Sequence, residues 1–75
     1  MKASDFYDAC AAHDWTYQYS DDSRAYNRGK KMHDELLRAA YSDSNLMRIF
    51  SEWSDHMTTG AAFGTARTPK PVRPA

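Results

Sequence analysis

Three histidines each stand beside an aspartate: His13-Asp14, His33-Asp34 and Asp55-His56. Neighbours on a helix point about 100° apart, so adjacency alone builds no acid–base dyad, and the plain reading is surface or half-buried imidazoles. Metal binding needs three or four convergent ligands. Cys10 and His13, three residues apart, together with His33 and His56 would make a zinc site of one thiolate and three imidazoles, but nothing in their spacing forces them together. No metal is expected, and Cys10 reads as a small core residue. Asp21 and Asp22 could hold magnesium or act as acid and base, yet two carboxylates after Ser20 suit a helix N-terminus. The sequence has no Gly-x-Ser-x-Gly, phosphate loop, dinucleotide fingerprint or HExxH, so no catalytic residue and no cofactor is assigned.

Binding chemistry is better represented. Arg24, Arg28, Lys30 and Lys31 form a local basic group, with Tyr17, Tyr19 and Tyr26 nearby to stack on bases. The acids Asp21, Asp22, Asp34 and Glu35 flank them, which makes helix-face ion pairs the plain alternative. A compact anion such as a nucleotide needs only two or three cations and a ring, whereas an extended phosphate backbone favours a net positive domain. The densest feature is the run from Asp14 to Asp22, where Trp15, Tyr17 and Tyr19 either pack the core or offer an interface of the kind Tyr and Trp dominate.

The elements that must position these groups follow from periodicity and caps. Ser4 and Asp5 signal a helix start, and Phe6, Ala9, Cys10 and His13 fall at helical spacing, predicting a first helix over about 5–13. The alternation of Trp15, Tyr17 and Tyr19 favours a short extended aromatic segment; an irregular connection and a continued helix are the alternatives. With Ser20 or Asp21 as cap, the second helix carries Tyr26, Gly29, Met32 or His33, Leu36, Leu37 and Ala40 on one face. Gly29 costs such a helix roughly 1 kcal/mol unless a neighbour packs closely there or the helix breaks, in which case it begins near Lys31. Leu46, Ile49, Phe50, Trp53 and Met57 then predict a third helix over 44–58, ended by Gly60. Residues 1–64 are expected to form one all-α, three-helix domain, and 65–75 an extended or disordered Pro-rich tail or a strap across a neighbouring subunit. The Pro71-Val72-Arg73-Pro74 stretch is a PxxP of low specificity.

Composition bounds the rest. In 75 residues, 10 Lys and Arg balance 10 Asp and Glu, without the excess positive charge of a nucleic-acid or membrane-surface binder. Leu, Ile, Val and Phe fill only 8 positions, against 10 aromatics in all, so the core rests on a few large side chains. Leu36, Leu37, Leu46 and Ile49 place that core in a hairpin of the second and third helices. Domains of this size reach only about 3–5 kcal/mol without staples, and a single Cys excludes an internal disulfide, so homo-oligomerisation or partner binding is expected. No apolar run approaches the ~20 residues of a membrane span, and no signal peptide is visible. With one reduced thiol, this suggests a cytoplasmic protein.

His13-Asp14-Trp15-x-Tyr17-x-x-Ser20-Asp21-Asp22, Gly29 after Tyr26, and Phe63-Gly64-Thr65-Ala66 with Pro69-Lys70-Pro71 resemble small uncharacterised proteins of phages and prophage-bearing bacteria. That resemblance carries no activity and no site residues. It implies a context in which small accessory proteins act by binding, as inhibitors of host or defence proteins or as sequestrants of a signalling nucleotide. The expectation is a non-catalytic protein-binding module with Trp15, Tyr17, Tyr19, Asp21, Asp22 and Tyr26 at the contact. One alternative is a nucleotide binder using Arg24, Arg28 and Lys31 at an inter-subunit site; another is a DNA-binding module reading with the second helix.

Overall fold

The computed structural model describes residues 1–58 and 68–75, and among them the chain forms three α-helices, α1 (Ala3–Ala12), α2 (Ser23–Tyr41) and α3 (Ser44–Thr58), with no strand. The all-α expectation is met. The first helix starts two residues before the predicted Asp5: Lys2 is its N-cap, Phe6 N–H donates to Lys2 O, and Ser4 lies inside the first turn instead of capping it. It ends at Ala12 because His13 takes extended dihedrals, φ −69° and ψ 138°.

Residues 15–19 depart from the extended reading. Asp14 Oδ1 accepts from both Thr16 N–H (2.9 Å) and Thr16 Oγ1–H (2.7 Å), turning the chain at once. Trp15 Nε1–H donates 2.9 Å back to Cys10 O, a last-turn carbonyl of α1 that otherwise accepts only the longer, 3.3 Å bond from the capping His13 N–H. Tyr17–Tyr19 then close a 3₁₀ turn, with Tyr19 N–H on Thr16 O and Ser20 N–H on Tyr17 O. A side chain that competes for local backbone donors thus overrides an alternation that nothing pairs with.

The cap of α2 is Asp22, not Ser20 or Asp21. Its carboxylate accepts from Arg24 N–H at 3.0 Å, and Ser20 Oγ in turn accepts from Asp22 N–H. The helix runs unbroken through Gly29, so the start near Lys31 is not seen. A two-residue connection follows, in which Asp43 Oδ1 accepts from Asn45 N–H, and α3 spans the predicted 44–58. Gly60, Phe63 and Gly64 lie outside the described residues.

Leu36 and Ala40 of α2 pack with Leu46, Ile49, Phe50 and Trp53 of α3, and Phe6, Tyr7 and Cys10 of α1 complete the core with Trp15. Leu37 is half-buried beside it. The α2–α3 contact is the most extensive, followed by α1–α3; α1 and α2 touch at few points. Residues 68–75 carry no helix or strand and lie on α1 and α3 of the same chain. Tyr7 O–H donates to Pro71 O at 2.5 Å, Arg73 binds Asp8 through two hydrogen bonds of 2.8 and 2.9 Å, and Lys70 Nζ stands 5.9 Å from the centre of the Trp53 ring. No helix among the described residues is long and apolar enough to cross a membrane.

Candidate functional site: the aromatic connection and its flanks

Because α1 and α2 barely meet, the wedge between them is filled by the connection. Trp15 is buried, its ring 4.9 Å from His13, 5.7 Å from His33 and 5.3 Å from Phe50. Tyr17 is half-buried, 5.7 Å from both Tyr26 and His33 and 5.9 Å from His13. Gly29 makes this possible: a Cβ there would stand 2.1 Å from Tyr17 Cβ and 2.5 Å from Cγ. The glycine is a notch in α2 into which the root of Tyr17 fits, which accounts for its place mid-helix.

The six residues expected at a partner contact therefore separate. Trp15 supports from inside, Tyr17 anchors the turn, and Asp22 is occupied as a cap. Tyr19, 70% exposed, and Tyr26, 38% exposed, present ring surface, and Asp21 is exposed as well. Met32, 41% exposed, was not singled out by periodicity as a contact residue; it borders a groove of about 290 Å³ between α1 and α2 with Ala9, Ala12, Ala25, Arg28, His13 and Asp14. The signal was available as small residues opposing one another, Ala9 and Ala12 against Ala25 and Gly29.

Arg24, Arg28 and Lys31 are all exposed and, spaced at i, i+4 and i+7, share one stripe of α2, but Arg28 and Lys31 line different concavities. Arg28 borders the groove toward α1, while Lys31 lies in a shallow trough with Asn27, Lys30, Asp34, Glu35 and Arg38. Among the described residues, ion pairs within 4 Å join Arg48 to Glu52 and Arg73 to Asp8, not these α2 charges.

The four candidate zinc ligands are divided. His13 and His33 meet, ring centres 5.6 Å apart, but His56 stacks against Trp53 and places Nδ1 2.7 Å from Thr68 O. Among the described residues, no three of His, Cys, Asp and Glu converge as a metal site. Burial pushes the Cys10 thiol up to about 12, keeping it protonated and a poor ligand or nucleophile near neutrality. His13 is held below the usual imidazole range, first by burial and then by the neighbouring His33, against a weaker pull from Asp14. Burial, Tyr26 and Asp34 raise the Tyr17 phenol, and the Thr16 hydrogen bonds keep the Asp14 carboxyl ionised. What this arrangement offers chemically is a fixed set of rings carrying an exposed edge.

Neither a scan against protein-family models nor searches of curated proteins and of solved structures finds a match to this chain.

Proposed function

We propose that the chain is a small non-catalytic protein-binding module whose contact is centred on Tyr19 and Tyr26, with Asp21 and Met32 at its margin. In the phage context that the sequence resembles, it acts as an inhibitor of a host or defence protein. The observation that carries this reading is the exposed Tyr19 ring on a turn anchored from below by Trp15 and Tyr17. A tyrosine has few rotatable bonds and a large ring, so it loses little conformational entropy when covered, and such residues dominate protein interfaces.

The test is photo-crosslinking in host cells from a benzoylphenylalanine placed at position 19, with position 41 as control, because Tyr41 is 76% exposed at the far end of α2. A discrete adduct from position 19 and not from 41 is expected, and Tyr19→Ser should weaken the purified complex by about tenfold or more without lowering its melting temperature. Equal adducts from both positions would remove this surface from consideration. An adduct with a second copy would make the partner the chain itself. Stabilisation by a nucleotide, roughly 2.7 kcal/mol at about 100 Kd, without a position-19 adduct would replace this reading with nucleotide sequestration through Arg28 or Lys31. Tight binding of duplex DNA at about 50 mM salt would replace it with the DNA-binding one.

A further inference from the structure

We propose that His13 and His33 form a proton-sensitive latch that holds residues 15–19 onto α2. The two imidazoles come from different elements, the end of α1 and the middle of α2, and their ring centres are 5.6 Å apart within the stack of Trp15, Tyr17 and Phe50. His13 is only 7% exposed, and its Nε2 is buried with no hydrogen-bond partner; His33 Nδ1 is in the same condition. Neutral rings tolerate this, because an unprotonated ring nitrogen is an acceptor that forgoes one bond. A proton there creates a buried donor and a charge with nothing to receive them.

The surroundings offer little compensation. On the α1 side stand the uncharged Cys10 thiol and Asp14, whose Oδ1 is already engaged twice by Thr16. The 3₁₀ turn contributes the Tyr17 phenol. From α2 come the second imidazole, Tyr26 and Asp34, both of which act on Tyr17, and Arg28, which adds positive charge at the groove bordering His13. Phe50 meets the His33 ring from α3, 5.4 Å centre to centre, and carries no charge. Aromatic faces stabilise one cation in part, but a proton on one imidazole opposes a proton on the other.

The direction for His13 gives the sign. The native state favours its neutral form, so below the unfolded value of 6.5 the detached segment binds more protons. The latch is then fully closed above about pH 6.5 and weakens as pH falls below it. The segment that loosens is the one that carries Tyr19, while the α2–α3 hairpin is also held by Leu36, Ala40, Leu46, Ile49 and Trp53, none of which titrates near neutrality.

The experiment follows the Trp15 indole N–H resonance, fixed in the native fold by its bond to Cys10 O, from about pH 8 to about pH 5. It should move to the free-indole position, with a midpoint below 6.5, while the helical circular dichroism is retained. His33→Gln and His13→Phe, each removing one imidazole of the pair, should shift that midpoint downward or abolish the change. A resonance unchanged down to about pH 5, or a midpoint in both variants equal to that of the unaltered protein, overturns the latch. Should neither variant fold at about pH 8, the unaltered protein decides: a His13 ring that titrates below 6.5 in step with the Trp15 indole shift supports the proposal, and titration at or above 6.5, or without that shift, refutes it.

Discussion

Substituting Gly29 by Ala sets two effects of known sign against each other. In an exposed helix interior the change stabilises by roughly 0.5–1 kcal/mol, because alanine restricts the unfolded chain and suits the helix. Here the new Cβ would lie 2.1 Å from Tyr17 Cβ, 2.5 Å from Cγ and 3.2 Å from Cδ1. Carbon atoms sit comfortably at about 3.5–4.0 Å, so the turn must retreat by roughly 1.5 Å. Rotating the tyrosine gives no relief, because the nearest atom is its Cβ, fixed to the backbone. Overpacking of this kind costs about 1–3 kcal/mol, and loss of the Tyr17–Tyr26 ring pair adds about 0.5–1.5. The net expectation is destabilisation by about 1–3 kcal/mol, or a fall in melting temperature of about 4–8 °C per kcal/mol in a domain of this size. Urea titration followed by helical circular dichroism measures it. Tyr17→Ala should leave the penalty of Gly29→Ala largely in place, whereas in a Tyr17→Gly background Gly29→Ala should stabilise by about 0.5–1 kcal/mol. If Gly29→Ala stabilises the otherwise unaltered protein, the notch does not exist and the account of the connection fails.

Two further outcomes bear on residues whose role the sequence left open. Asp22→Ala should lower stability by about 1 kcal/mol through loss of the bond from Arg24 N–H, while Asp21→Ala should stay within about 0.5; comparing their urea midpoints distinguishes a cap from a surface acid. With its thiol raised from 9.0 to about 12, Cys10 should have about a thousandfold smaller thiolate fraction when folded than when unfolded. Reaction with Ellman's reagent near pH 8 should therefore be slow until denaturant is added, and a native rate within tenfold of the denatured one contradicts its burial.

The helices were legible because their cause is local. Leu46, Ile49, Phe50 and Trp53 repeat at three and four and are all buried on α3, and the aliphatic residues marked the α2–α3 hairpin before any contact was known. The aromatic connection was not legible, since what shapes it lies outside the window that shows the alternation. One determinant is the Asp14 side chain turning the chain; the other is a notch at Gly29, twelve positions beyond the ring it receives. The histidines make the same point. Adjacency drew attention to His13 and Asp14, but the ring that meets His13 is His33, and Asp14 turns to Thr16. Tyr7 and Pro71 bond across 64 positions with no periodicity to announce it.

A shortage of aliphatic side chains has a consequence beyond stability. In a Leu-rich bundle the wedge between α1 and α2 would be closed by side chains that cannot titrate and make no directional bonds. Here it is closed by imidazole, indole and phenol rings, anchored by the indole bond to Cys10 O and, under the proposed latch, sensitive to a proton on His13. The same rings set the height and orientation of the turn that exposes Tyr19. Filling the wedge with aromatic and polar rings therefore couples the interior to the surface: whatever moves His13, Trp15 or Tyr17 also moves the Tyr19 edge. A variant that replaced both histidines and Trp15 by aliphatic residues of similar volume is expected to keep its helical circular dichroism but to lose the position-19 crosslink, because Tyr19 loses the support on which the proposed contact depends.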